Sequence, residues 1–348
     1  MFKKIFQVIL IIFFLAIFAY FKKDDFINNY KENQVYKTEI INLEKHLENF
    51  ELSNIKKIKN IDFYYTPYKN LIDKMLSKIA NAKDRIYIEM YMFTENKRFP
   101  NALVKAKNRW VEIKVILEKN PYKAPNINNK IFKFLQKNNI EVVWSKTSNY
   151  SLNHTKLFII DDEIIISTWN LTYSTFAFNR DFFVFIFDKE IKNKLIELFL
   201  SDFIWRKKVV YHPNLVISPE YSKQKFKKIF LSANKSLKMY FQYLEEKELE
   251  QILISKAKQI RIQIVVSRNF YDNNKEKIDF LRTKNIEIYP LSKFKMHAKA
   301  ILVDNNYLFI WSENFSSYSL TKNREVWIIT KNSEVIQKFL EIFKKDAN

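Results

Sequence analysis

The sequence predicts an α/β protein made of two similar halves, with a site between them and an apolar helix ahead of both. Three observations predict it. Strand-like and helix-like segments alternate along most of the chain, the order of those segments is repeated, and each copy ends on the same spaced histidine, lysine and aspartate. Cysteine is absent, which excludes disulfides, thiol catalysis, cysteine-ligated zinc and a lipid-modified N-terminal cysteine. Hydrophobic residues make up 47% of the 348 residues, enough for a sizeable core, so a disordered chain is excluded too. The formal net charge of +21 predicts attraction to phosphate, in nucleic acid or on an anionic membrane. Lys, Asn, Ile and Phe are abundant together, however, which an AT-rich coding sequence also produces.

The chain opens "MFKKIFQVILIIFFLAIFAYFKKDD". Its apolar run from Ile5 to Phe21, bracketed by lysines, is near the lower limit of about 17 residues for a spanning helix. No small-x-small cleavage pattern follows it. We read residues 1–23 as an uncleaved membrane anchor, with a cleaved signal peptide and a secreted body as the alternative. The flanking charges nearly match, so they set orientation poorly; by position the body is expected outside the cytoplasm. Residues 24–60 are polar with helical patches and read as a stalk or linker.

The repeat begins next. "FYYTPYKNLIDKMLSKIANAKDRIYIEMY" (Phe63 to Tyr91) is echoed by "LVISPEYSKQKFKKIFLSANKSLKMYFQY" (Leu215 to Tyr243). Each copy predicts a short strand, a proline turn at Pro67 or Pro219, an amphipathic helix and a second strand. "VEIKVILEK" and "IRIQIVVSR" follow as buried strands. "FLQKNNIEVV" and "FLRTKNIEIY" then give a helix end, a turn at Asn139 or Asn285, and another strand. These divisions predict one half over residues 61–208 and another over 209–348, a pseudo-twofold pair with a site between them.

Each half closes on His-x-Lys, four further residues and Asp: His154, Lys156 and Asp161, then His297, Lys299 and Asp304. Residues two apart on a strand share a face, so each imidazole lies beside its lysine. Asp161 and Asp304 fall at odd offsets near strand ends and read as structural. Asn170 and Asn314 come next, near the hydroxyl residues Ser167, Thr168 and Ser312. "NRD" and "NRE" then supply Asp181 and Glu325. A lysine-rich chain places Lys near His by chance, but not twice at matching points of a repeat. His46 and His212 have no such context. Metal binding is weakly supported, because no paired histidines stand at helical or hairpin spacing with carboxylates between.

The doubled motif, with its following Asn and Asn-x-acid, resembles the phospholipase D superfamily over roughly Ile61 to Lys344. The resemblance implies two α/β halves of the phospholipase D type and cleavage or exchange at a phosphodiester, with no metal or other cofactor. Lys156 and Lys299, with Asn170 and Asn314, would grip the non-bridging oxygens. One histidine would attack phosphorus to give a phosphohistidine while the other protonates the leaving alcohol, with His154 as nucleophile and His297 as acid by family precedent. Asp181 and Glu325 would each accept a hydrogen bond from a histidine's far ring nitrogen and fix its tautomer. Glu89 and Gln242, read as equivalent places on one strand, would contact substrate or be buried with structural partners.

The partners implied are a phospholipid membrane and a phosphodiester substrate, lipid before nucleic acid. One chain holding both half-sites implies a monomer. The function expected is a membrane-anchored phosphodiesterase that hydrolyses or transfers phospholipid head groups. The alternatives are a nuclease of the same superfamily and a catalytically inactive phosphate-binding protein.

Glycine is missing altogether, where a usage of about 7% would give roughly two dozen. The family's usual text carries glycine where Trp110, Trp311 and Trp327 stand, and a small residue where Trp169 stands. An indole at a tight turn is expected to strain it or to fill the pocket. We read these four as UGA codons that the source cell decodes as glycine, with genuine core tryptophans as the alternative. Trp205 reads as a genuine tryptophan.

Overall fold

The computed structural model describes residues 31–68, 70–94, 97–146, 149–172, 178–312 and 316–348. The expected anchor and Asn314 lie outside them. Among the described residues no helix is long and apolar enough to cross a membrane.

The first half contributes β1 (Asn60–Tyr65), β2 (Arg85–Met90), β3 (Glu112–Leu117), β4 (Glu141–Trp144), β5 (Lys156–Ile160), β6 (Glu163–Ser167), β7 (Asn179–Arg180) and β8 (Phe182–Phe187). The second contributes β9 (Leu215–Ser218), β10 (Ser236–Phe241), β11 (Arg261–Ser267), β12 (Ile286–Leu291), β13 (Lys295–Met296), β14 (Ala300–Val303), β15 (Tyr307–Ile310) and β16 (Glu325–Thr330). Each half forms a seven-stranded sheet, in the orders β1-β8-β6-β5-β2-β3-β4 and β12-β11-β10-β14-β15-β16-β9. Read from opposite ends, the two orders are the same topology. The repeat in the sequence is therefore a repeat of the fold. A third, two-stranded sheet pairs β7 with β13 in parallel and so joins the halves.

Period-2 alternation decides which face each strand residue serves. Along β8, Phe182, Val184 and Ile186 join a core shared with the second half, while Phe183 and Phe185 turn to the other side. β5 and β6 divide in the same way: Leu157, Ile159, Ile164 and Ile166 face inward, and Phe158, Ile160 and Ile165 face outward. The outward face is covered by helices Leu71–Asn81, Arg98–Lys107 and Asn129–Lys137, through Met75, Leu103 and Leu135 among others. Strands buried on both faces read as unbroken apolar runs, which accounts for "FFVFIF".

The stalk expectation needs correcting. Residues 31–48 form a helix, and Leu43, Leu47, Phe50, Ile55 and Ile58 are buried in the shared core. Asn214 fastens the segment by accepting from Lys56 N and donating to Lys56 O, while Asn332 donates to Ile58 O. An apolar stripe within a polar stretch has been drawn into the body rather than left as a spacer.

The turns show how a chain without glycine makes left-handed backbone. Asn139 and Asn285 have φ of 58° and 62°, and Asp161, Asp304 and Asn305 lie at 50°, 53° and 56°. Asn and Asp tolerate this region best after glycine. In the first half the left-handed residue after the strand is Asp161 itself; in the second both Asp304 and Asn305 adopt it.

Lys123 at 58° and the tryptophans Trp110 and Trp205, at 69° and 62°, depart from this rule, and the two tryptophans share a cause. Each ends a helix in the same way. Trp110 N donates to Lys107 O and Val111 N to Ala106 O; Trp205 N donates to Asp202 O and Arg206 N to Ser201 O. These are the paired bonds of a Schellman stop, where glycine is the usual residue. Trp110 is 93% exposed. By contrast Trp169, Trp311 and Trp327 are fully buried without left-handed backbone, and Trp327 packs 4.3 Å from Phe226 and 5.7 Å from Trp311. The expected left-handed strain is therefore absent at three of the four positions, none of which has positive φ. It is present at Trp110, and at Trp205, which the sequence alone passed as genuine.

Replacing Trp110 or Trp205 by glycine should accordingly stabilise the protein by about 1 kcal/mol each, by relieving the left-handed cost. The same change at Trp311 or Trp327 should destabilise it by about 3–5 kcal/mol, as emptying a packed aromatic site does. Urea denaturation of the four single variants would measure both.

Candidate active site

The His-x-Lys segments meet where the halves join, and backbone pairing brings them there. His297 N donates to Arg180 O at 3.1 Å, and His154 N donates to Arg324 O at 2.9 Å. The residue before each histidine thus lies beside the arginine before the other half's acid: Met296 beside Arg180 in the β7–β13 ladder, Asn153 beside Arg324 in an isolated bridge. The acids consequently cross over. His297 Nδ1 lies 2.7 Å from Asp181 Oδ1, and His154 Nδ1 lies 2.9 Å from Glu325 Oε1. The second contact is close without hydrogen-bond alignment. Neither acid serves the histidine of its own half.

Hydroxyl groups hold both acids. Thr168 Oγ1 donates to Asp181 Oδ1 at 2.6 Å, and Ser312 Oγ donates to Glu325 Oε2. Thr66 adds a bond by accepting from Asp181 N at 2.9 Å. Lys156 and Lys299 are buried, and each Nζ donates to the carbonyl of its own histidine, at 2.5 and 2.9 Å. Asn170 stands half-buried nearby in the sequence, with Oδ1 lacking a partner.

Asp161 and Asp304 lie away from this centre. The Asp161 carboxylate accepts from the backbone N–H groups of Lys83, Asp84 and Arg85. Asp304 does the same for Asn234, Lys235 and Ser236. Each thereby ties the end of its motif strand to the start of β2 or β10.

The equivalence of Glu89 and Gln242 needs correcting. Glu89 faces Leu157 on β5 and Tyr240 faces Ala300 on β14, each one residue past the motif lysine. Tyr240 is therefore the counterpart of Glu89, and Gln242, just beyond β10, is the counterpart of Tyr91. Glu89 is fully buried and accepts from Asn153 Nδ2 at 2.5 Å. Burial, with Asp202 adding to it, pushes its carboxyl up to about 8.

Tyr91 was missed in the sequence and belongs to the site. Its ring lies edge-on to His154 at 4.4 Å and under the Lys156 ammonium at 4.9 Å. Aligning the two copies strand by strand would have found it. His46 stacks on Tyr211, and His212 is engaged by Asn214 and Glu190.

The electrostatics follow from burying four basic groups around two acids. Burial lowers His154 well below its usual value, with Lys156, Lys299 and His297 adding to the effect. His297 is lowered by burial and by Lys299, with Asp181 opposing. Lys156 is lowered well below normal by burial, and Lys299 to about 8. Burial pushes Glu325 up to about 8, with Lys156 as the main opposing charge. A buried anion placed among these groups would restore both ammonium charges. Among the described residues no group of three or more His, Asp and Glu is arranged to hold a metal ion.

Two buried lysines and two histidines, each beside a carboxylate of the other half, thus meet at one centre. Residues 75–203 and 226–347 match the family model described as "Cardiolipin synthase, PLD-like domain". The chain belongs to this family, within the phospholipase D superfamily. It is 24% identical to a cardiolipin synthase of Clostridium perfringens over 93% of this chain and 78% of that protein. A cardiolipin synthase of Staphylococcus epidermidis is 29% identical, over 36% of this chain and 25% of its own length. In fold the chain is similar to the phosphatidylserine synthase of Haemophilus influenzae Rd KW20, with TM-score 0.67, 13% identity, and coverage of 88% and 90%. It is also similar to polyphosphate kinase of Porphyromonas gingivalis, with TM-score 0.66, 14% identity, and coverage of 87% and 53%.

Binding of a non-titrating anion such as diethyl phosphate should weaken as pH rises through about 8, where Lys299 loses its proton in the empty site. The sign follows from a lowered lysine value: the charge is present below it and lost above. Lys299→Arg, whose guanidinium stays charged, should shrink that fall and leave the part due to Glu325, whose carboxyl ionises over the same range. Calorimetric titration across the range checks both.

Proposed function

We propose that this protein transfers phospholipid head groups through a phosphohistidine, taking an alcohol of a second lipid as acceptor and water as the slower one. The observation that carries the reading is the crossed pairing of each partly exposed histidine with the other half's acid, beside two buried lysines. An Nδ1 committed to a carboxylate leaves Nε2 for chemistry and stabilises the imidazolium when it forms.

In the reaction so read, His154 Nε2 attacks phosphorus. The P–N bond forms as the bond to the leaving alcohol breaks, and His297, as imidazolium, gives that alcohol its proton. Lys156 and Lys299 hold the non-bridging oxygens together with Asn170 and Asn314. The acceptor alcohol then gives its proton to His297 as its oxygen attacks phosphorus, and His154 departs. No charge in this scheme is assigned to a metal.

Transfer to a lipid alcohol, before hydrolysis, is supported by the similarity to the Clostridium cardiolipin synthase along nearly the whole chain. The apolar run Ile5 to Phe21 would anchor the body at the bilayer, outside the cytoplasm. One chain holds both half-sites, so a monomer would suffice.

Full-length protein in vesicles containing phosphatidylglycerol should release glycerol and form a diphosphatidyl lipid in the presence of EDTA. His154→Ala and His297→Ala should each lower the rate by at least about 10³-fold. Nicking of plasmid DNA in EDTA with the same mutational sensitivity, without lipid turnover, would replace this reading by the nuclease one. Phosphate binding with neither activity would leave an inactive binding protein.

A further inference from the structure

The acids that cross between the halves are themselves held by a second crossing. Arg180, next to Asp181, is 5% exposed and lies against Asp346: its Nε and Nη2 donate to the two carboxylate oxygens at 2.8 Å each. Asp346 is the last residue of the closing helix of the second half, Ser333–Asp346. Arg324, next to Glu325, is 2% exposed and meets Asp202: its Nη2 donates to one carboxylate oxygen at 3.1 Å, and its Nε lies 2.8 Å from the other without hydrogen-bond alignment. Asp202 lies near the end of the closing helix of the first half, Lys189–Phe203. The two arrangements are pseudo-twofold copies.

We infer that Asp202 and Asp346 are positioning residues of the two half-sites, each acting through the other half's arginine and acid on the histidine of its own half. Asp346 holds Arg180, hence Asp181, hence His297. Asp202 holds Arg324, hence Glu325, hence His154. Two-point pairing of the planar Arg180 guanidinium with Asp346 fixes direction as well as distance, and Arg324 is held by one bond and one close contact to Asp202. The arginine's backbone is fixed at the same time, since its carbonyl accepts from the histidine N–H. A shift of either arginine therefore moves a histidine and its acid together.

The two copies differ in support. Tyr240 donates to Asp346 at 3.0 Å, and the aromatic faces of Phe294 and Tyr65 lie 4.4 and 5.2 Å from Arg180. Arg324 instead has a second carboxylate, Glu220, at 2.7 Å, and Tyr150 at 5.1 Å. The second carboxylate would hold Arg324 in part without Asp202. Arg180 has only Asp346 as an acidic partner among the described contacts. The effect of losing Asp346 is therefore expected to be the larger one.

The inference rests on reading His297 as the acid and His154 as the nucleophile, and its test separates the two. Asp346→Asn and Asp202→Asn are made in the full chain, and their fold is checked by circular dichroism. Asp346→Asn should slow release of a glycerol-type alcohol about 10²-fold, as misplacement of a catalytic group does. It should change the first-turnover burst of p-nitrophenol from an activated phosphodiester by less than about threefold, because that leaving group needs no acid. Asp202→Asn should slow both substrates by one common, smaller factor. Equal losses on both substrates in Asp346→Asn, or none, would overturn the inference.

A second measurement needs no turnover. In proton NMR the low-field imidazole Nδ1–H signal of His297 should move in Asp346→Asn while that of His154 stays, and the reverse in Asp202→Asn. Signals unmoved, or moved together in both variants, also overturn it. If the wild type cleaves neither phosphodiester, the functional reading fails and the NMR pair alone decides the inference.

Discussion

Each half of this protein ends its motif on an arginine and an acid that it does not use itself. The backbone of Arg180 and Arg324 takes the N–H of the other half's histidine, and the adjoining acid takes that histidine's ring. Everything at the centre depends on this exchange. Separated halves would leave Asp181 and Glu325, fully buried in the intact chain, without their imidazoles, and would leave each histidine without a carboxylate. Burying such charges is expensive, and removing one partner of a buried pair costs roughly 3–5 kcal/mol. Hydroxyls of Thr168 and Ser312 hold one oxygen of each acid, and the adjoining arginines are themselves paired with Asp346 and Asp202. The arrangement specifies one relative placement of the halves rather than adding much stability.

The electrostatic state of the empty site points toward an anion. Two lysines lie buried and two histidines mostly so, with desolvation as the leading cause of their lowered values. A phosphodiester would bring one negative charge into a region that lacks it, raising both lysines and allowing one imidazole to carry a proton. Ligand charge and site charge would thus complete each other, and the catalytic protonation state would form on binding.

The halves are copies in backbone and not in every side chain. Tyr91 packs on His154 and Lys156 in the first half, where the second has Gln242. Glu89 lies fully buried against Asn153, where the second half has Tyr240 donating to Asp346. Such differences give two similar imidazoles different surroundings, which a division into nucleophile and acid requires. The alignment of His297 with Asp181, tighter than that of His154 with Glu325, is part of the same asymmetry.

Much of this was written in local pattern. Alternation and run length gave the strands, and the doubled motif gave both histidines and both lysines, because a side-chain period of two and a repeat survive in one dimension. Asp161 and Asp304 could be read as structural from their offset alone. The stalk could not be read, since whether an apolar stripe meets a core depends on what lies opposite. Which acid serves which histidine was equally invisible, because either pairing fits the spacing and only the backbone bridges between halves decide it. Asp202 and Asp346 carried no local signal, standing at helix ends in charged surroundings. The strain expected at four tryptophans is present at Trp110 alone of them, and also at Trp205, for the sign of φ is set by where a helix stops. Sequence determined the elements and the two His-Lys pairs, which are local pattern; tertiary structure decided their partners, because those contacts join residues more than a hundred positions apart.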